Sequence, residues 1–187
     1  SSSALDTAAI EACQDEMRKT SEREFDLVLG EWELTKDIEA CMICHSEDTQ
    51  KAGTDIGEAA AAIEPLMRKG KTEEQFQALL KVNIFFAKQF AKKGITHPND
   101  YLFSALFANT LMRSGSPEIH PEALWYPSVA YKYKGFNIVF KTRLIDNNDL
   151  ILRRAFHYRL RFENPDTYPQ ITRIKESARI DGDTIQW

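Results

Sequence analysis

The sequence predicts an α+β fold: a mixed or antiparallel sheet with several helices packed against it, in a single domain spanning residues 1–187. Three observations lead there. Residues 4–19 carry apolar and small side chains at helical spacing. The middle of the chain, from Ile56 to Leu111, is helical by the same criterion. The last third alternates apolar and polar residues, with turn residues between the runs.

The elements follow in order. Leu5, Ala8, Ala9, Ala12, Cys13 and Met17 form the stripe of the first helix. Phe25, Leu27 and Leu29 then lie on one side of a strand, and Trp32 and Leu34 on the other. The change of face at Gly30 suits a bulge or a change of pairing. Ile38 to Ile43 extends or closes that strand. Asp55 is the expected N-cap of a helix from Ile56 to Met67, ended by Gly70. Thr72 and Gln75 have the spacing of a capping box. The helix they open carries Phe76, Leu79, Leu80, Phe86 and Phe90, and Gly94 stops it. Pro98-Asn99-Asp100 starts a third helix through Leu102, Ala105, Leu106 and Leu111. Strands are expected at Leu124–Ala130, Phe136–Lys141 and Leu152–Phe162, with weaker ones at Ile171–Ile174 and Ala178–Ile180. In the longest of these, Leu152, Phe156, Tyr158, Leu160 and Phe162 face one way, and Arg153, His157, Arg159 and Arg161 the other. Asp181-Gly182 is a hairpin turn leading into Thr184–Trp187.

Composition narrows the function classes. With 187 residues the chain can bury a sizeable core. A net charge of −4 argues against a nucleic-acid partner, which needs a basic face. No run approaches the roughly 18 apolar residues of a membrane span. Ser1 to Asp6 has neither the charged nor the apolar region of a signal peptide. Three cysteines, few and odd in number, fit free thiols in a reducing compartment, so a cytoplasmic protein is expected.

Four groups of residues can carry chemistry. Cys41-Met42-Ile43-Cys44-His45 matches the attachment pattern of haem c, in which two thiols form thioethers and the histidine is an axial ligand. That reading implies a periplasmic sensor or electron-transfer protein. The same residues can supply part of a zinc site if Cys13 or His97 is recruited, or can be small apolar packing at a strand end. The Arg153/His157/Arg159/Arg161 row can hold an anion, or can be the solvated face of an edge strand. Glu11, among Ala8, Ala9, Ala12 and Cys13, is either a partly buried working carboxylate or an exposed helix residue. Ser128 follows Pro127 without a nucleophile elbow, so it is either a ligand-binding hydroxyl or a satisfied structural one.

One resemblance bears on these alternatives. Tyr126-Pro127-Ser128-Val129, then Gly135-Phe136-Asn137-Ile138-Val139, resembles the late segment of RES-domain proteins. Thr7-Ala8-Ala9-Ile10-Glu11 is similar to the start of the family's "TA..E" helix, and Leu29 to Leu34 to its "W.L" strand. The helix ending in Phe86 to Phe90 and the one from Tyr101 to Leu111 resemble the two helices before the serine strand. The resemblance spans residues 4–145 and implies a toxin of a toxin–antitoxin pair. Such a toxin degrades NAD by cleaving its nicotinamide–ribose bond, with water or phosphate as acceptor and a cognate antitoxin as partner. It implies Glu11 and Ser128 as catalytic residues, Tyr126 and Asn137 as substrate-binding residues, and no metal or bound cofactor. The family's arginine would lie upstream of Thr7, and no arginine stands between Ser1 and Thr7. A module of this fold without catalysis is therefore the third reading, beside the enzyme and the haem protein.

Overall fold

The computed structural model of the chain describes residues 2–19, 23–44, 49, 55–91, 97–113, 121–164, 167–182 and 184–187. The fold is α+β. It organises into two compact units, one made of Ser1–Asp37 with Thr142–Trp187, the other of Ile38–Lys141. We call them the discontinuous unit and the inserted unit.

The discontinuous unit packs a long helix on an antiparallel sheet. Helix α1 (Ser2–Lys19) is followed by strand β1 (Glu24–Leu34). After the inserted segment come a short helix at Arg143–Asp146, then the long strand Leu150–Arg161 and the strand Gln170–Glu176. The long strand is central, with β1 on one side and Gln170–Glu176 on the other. Ala9, Cys13 and Met17 of α1 pack on Leu160 and Phe162, with Phe25, Leu27, Tyr158 and Ile171 around them. The spacing of 9, 13 and 17 is the four-residue helical repeat that keeps side chains on one face. A small hairpin, Arg179–Asp181 with Thr184–Gln186, ends the chain, and Gly182 takes φ +56° as its turn requires.

The bulge expected at Gly30 falls one step later, between Glu31 and Trp32, and the extra residue, Arg153, is on the long strand. It changes the expected facing. Leu152 pairs with Trp32. Its Cδ1 lies 2.6 Å from where a Cβ on Gly30 would stand. Leu152 is thus on the Gly30 side and does not share the Leu160 face.

The inserted unit opens with β2 (Ala40–Met42), which pairs in parallel with β3 (Ala123–Pro127). The 38–43 run is therefore no extension of β1. A parallel pair needs a long crossover, and here it contains the helices. These are α2 (Asp55–Arg68), α3 (Glu73–Phe90), a 3₁₀ turn at Pro98–Tyr101, and α4 (Leu102–Arg113). Asp55 is the first helical residue of α2, one step inside the expected cap. Thr72 and Gln75 do form the capping box: Thr72 Oγ1 accepts the Gln75 N–H at 3.3 Å, and Gln75 Oε1 accepts the Thr72 N–H at 3.0 Å. Gly94, the expected stop of α3, lies outside the described residues, and the helix ends at Phe90. β4 (Phe136–Phe140) completes a three-stranded sheet in the order β2-β3-β4.

Two apolar clusters hold this unit. Ile43, Ala87 and Leu124 pack with Phe90, Phe107, Leu111 and Tyr126. Cys44 and Ala60 pack with Met42 and Ile63. The packed face of α4 differs from the expected one. Leu102 and Leu106 are exposed, while Ser104, Phe107, Ala108 and Leu111 face inward. Among the described residues no helix is long and apolar enough to cross a membrane.

Candidate functional site

The β3–β4 hairpin carries the residues that the sequence singles out most strongly. Tyr126 and Asn137 are cross-strand partners in the register. Leu124 and Tyr126 lie on the same side of β3 by strand alternation, with Trp125 on the other. The Trp125 ring packs edge-on to Phe136 at 4.8 Å, and its indole Nε1 is buried with no acceptor among the described residues.

Ser128 stands at the exit of β3 and is 0% exposed. Its backbone N–H donates to the Gly135 carbonyl at 2.9 Å, and its own carbonyl accepts from the Tyr133 N–H at 2.8 Å. Its Oγ accepts the Tyr131 N–H at 3.1 Å. The hydroxyl thus organises an eight-residue loop, 128–135, in which Lys132 and Tyr133 both adopt positive φ, 53° and 62°. Left-handed backbone at two consecutive non-glycine residues persists only where the surroundings fix it. Buried Tyr131 and Tyr133 and the bonds to Ser128 supply that fixing.

Beside this hairpin lies a cavity of about 260 Å³. α3 contributes Gln89 and Phe90, α4 contributes Ser104, Ala105, Ala108 and Met112, and the strands contribute Leu124, Tyr126 and Val139, with Tyr101 from the preceding turn. The Phe90 and Tyr126 rings meet at 5.3 Å, tilted by 53°. Three of the lining residues on α4, Ser104, Ala105 and Ala108, are small, and short side chains leave space. Among the described residues no ionisable acid or base side chain lines it apart from the two phenols. The cavity takes in Tyr126 but neither Ser128 nor Asn137.

Glu11 is an exposed residue of α1, on the discontinuous unit. Its small neighbours divide by the helical repeat: Ala9 and Cys13 are buried and Ala12 is exposed. Ser128, Tyr126 and Asn137 belong to the inserted unit.

The expected arginine row is split by the bulge: His157, Arg159 and Arg161 share one side, while Arg153, bonded to Glu33, is on the other, and all are paired. Arg159 Nε donates to Asp26 Oδ1 at 3.1 Å, and His157 Nε2 stands 3.3 Å from the same oxygen. Arg161 stands opposite Glu24 and Arg153 bonds Glu33. One position away, Arg154 makes a two-pronged contact with Glu31 and reaches Glu176, which Arg173 also meets. The hydrogen bond from Arg159 holds the Asp26 carboxyl below the usual carboxylate range. These are exposed cross-strand pairs, worth little each. Their acceptor demand is met within the chain, so an incoming anion would compete with carboxylates already in place.

The cysteines sit in packing. Cys41 is half-buried in β2 and Cys44 is 1% exposed against Ala60. Burial, with the neighbouring Cys41 thiol, pushes Cys44 up to about 11. Burial also raises Cys41 and Cys13. A thioether or metal bond at Cys44 would require that side chain to leave its cluster. His45 lies outside the described residues. Cys13 is in the core of the discontinuous unit. His97 is occupied as a helix cap, its Nδ1 accepting the Asn99 N–H at 3.1 Å. Among the described residues no three His, Cys, Asp or Glu side chains form a metal-holding group.

Comparison with protein-family models, with curated proteins and with solved structures finds no match for this chain. Of the residues expected at the site, the cavity includes Tyr126 alone. The walls that the sequence did not single out are Gln89, Ser104, Ala105, Ala108 and Met112. A signal for three of them existed: Ser104, Ala108 and Met112 recur every four residues, so they share one helical face.

Proposed function

We propose that the inserted unit is a ligand-binding module and that its site is the cavity between α3, α4 and β3–β4. The observation that carries this reading is the cavity itself, walled by Phe90, Tyr126, Leu124 and Met112 with few polar groups. Apolar concavities with a few polar groups are the usual form of small-molecule sites. Its 260 Å³ is the liquid volume of roughly nine waters, at about 30 Å³ each. Drug-sized pockets begin near 300 Å³. The space therefore suits one small ring system. The test is calorimetric titration of the full chain with naphthalene-sized aromatics. Binding is expected in the wild type and should vanish when Ala108→Trp fills the cavity. Equal binding by both proteins would remove this site from consideration.

A second reading has one specific observation in its favour. Tyr126 of the Tyr-Pro-Ser strand lines the cavity together with α3 and α4, the helices that the RES resemblance sets before that strand. On this reading the protein cleaves NAD. The C–N bond between ribose and nicotinamide breaks, nicotinamide departs, and the ribose carbon bonds to an oxygen of water or phosphate. A carboxylate stabilises the oxocarbenium-like state, a role the resemblance gives to Glu11. The experiment is incubation of the intact gene product with NAD and phosphate, followed by measurement of free nicotinamide. Release that disappears in Glu11→Ala supports cleavage, and absence of release from wild type eliminates it. A haem c role through Cys41, Cys44 and His45 predicts a Soret band that survives denaturation, and a colourless protein ends that alternative.

A further inference from the structure

We infer that the cavity selects a neutral, flat ligand with an amide-type edge, an N–H donor beside a C=O acceptor, as in a lactam. This rests on the reading of the cavity as a binding site. Gln89 lines the cavity, and its carboxamide makes no hydrogen bond among the described residues. It offers one donor group and one acceptor side by side. Ser104 also lines the cavity and is 9% exposed. Its hydroxyl proton is committed, donated to the Tyr101 carbonyl at 3.0 Å. What Ser104 presents is therefore an oxygen that only accepts. The site asks for a ligand N–H at Ser104 and for a donor–acceptor edge at Gln89.

Two further features narrow the class. Among the described residues the lining contains no Lys, Arg, His, Asp or Glu. A phosphate or carboxylate entering it would lose its water shell without a countercharge, which is costly. The rings of Phe90 and Tyr126 give a flat heterocycle aromatic surfaces to lie against. A purely apolar ring would fill the space without meeting either polar group, so it should bind more weakly than the lactam.

The experiment measures binding of the full chain to four probes: 2-quinolone, N-methyl-2-quinolone, naphthalene and 2-naphthoate. The methylated lactam keeps ring and carbonyl and lacks the N–H. 2-Quinolone is expected to bind at least about tenfold more tightly than N-methyl-2-quinolone, the size of one hydrogen bond in a dry site. The anion should not bind measurably. Gln89→Leu should weaken 2-quinolone about tenfold and leave naphthalene within a few-fold. If the two quinolones bind alike in wild type, or if Gln89→Leu changes neither, the amide edge is wrong although the cavity stands. If no neutral probe binds, or if 2-quinolone binds Ala108→Trp as well as wild type, the cavity reading itself falls. The wild-type comparison of the two quinolones needs no variant, so a folding defect in Gln89→Leu does not blunt the test.

Discussion

Replacing Ser128 by alanine separates a serine that builds a turn from one that touches a ligand. The side chain is 0% exposed, and its Oγ is an acceptor for the Tyr131 N–H at 3.1 Å. Tyr131 is itself only 9% exposed, so an alanine at 128 leaves a largely dry N–H without that acceptor. A buried donor left unpaired costs about 1–3 kcal/mol. In a chain of this length each kcal/mol moves Tm by roughly 2–4 °C. Ser128→Ala should therefore lower Tm by about 2–12 °C in calorimetry, the product of those two ranges. Hydrogen exchange gives a local readout: the Tyr131 amide should lose protection, because its acceptor is gone. The left-handed pair Lys132 and Tyr133 should loosen with it, since the same loop holds both. A ligand-contacting serine predicts the reverse pattern, with affinity reduced and stability preserved. An unchanged Tm together with full protection at Tyr131 would refute the turn-building role.

Three other perturbations have directions fixed by the structure. Gly30→Ala would place a Cβ 2.6 Å from Leu152 Cδ1 and 2.8 Å from Trp32 Nε1. Both are side-chain ends that can shift, so a loss near the low end of the 1–3 kcal/mol overpacking range is expected, about 1 kcal/mol, with a change in Trp32 fluorescence. A stabilised variant would show that the contact is not tight. Cys44 has its thiol raised from 9.0 to about 11, chiefly by burial. The folded state therefore disfavours the thiolate; this contribution to stability is full below 9.0 and fades as pH rises toward 11. At pH near 8, iodoacetamide should spare Cys44 in the folded chain and label it after urea, and equal labelling in both states contradicts the burial. Asp26 is depressed below 3.8, first by the hydrogen bond from Arg159 and further by His157. A depressed folded value means stabilisation above 3.8 that is lost as pH falls through the lower folded value. Asp26→Asn should flatten the acid limb of the stability profile at low salt, and an unaltered limb would show that the pair contributes nothing.

Much of the architecture was legible because it rests on local chemistry. The capping box at Thr72 and Gln75 needs only two side chains three residues apart, and it forms as read. The strand 24–34 and the long strand 150–161 announce themselves by alternation. What misled was anything decided by a partner far along the chain. The 38–43 run reads as extending or closing the preceding strand. Its partner is β3, and the bond from the Ile43 N–H to the Trp125 carbonyl is 82 positions away by number. The division at Asp37 and Thr142 likewise lacks a Gly- or Pro-rich linker. Within the discontinuous unit, the Thr35 N–H bonds the Asp149 carbonyl and Lys36 pairs with the Asp149 carboxylate. Within the inserted unit, the Glu122 N–H bonds the Glu39 carbonyl, and the Lys141 N–H bonds the Glu122 carbonyl. Chain held by such bonds on both sides of a boundary has no need of flexible residues.

The site divides along the same line. Ser128 in an apolar strand end signals a local purpose, but a ligand and a turn both ask for a hydroxyl in a dry place. What distinguishes them is whether a backbone donor already faces the oxygen, and Tyr131, three residues on, supplies one. The cavity was harder to read for the opposite reason. A void is made by side chains that are absent, and Ala105 and Ala108 look like ordinary helix formers until they are found lining the same cavity as Phe90 and Tyr126. The helix also presents Leu102 and Leu106, whose size marks them as the natural inward face, yet both are exposed. Turning them inward would fill the space. Ser104, Ala105 and Ala108 line the cavity instead, and among the described residues Ser104 and Gln89 are the polar groups of the walls besides the two phenols.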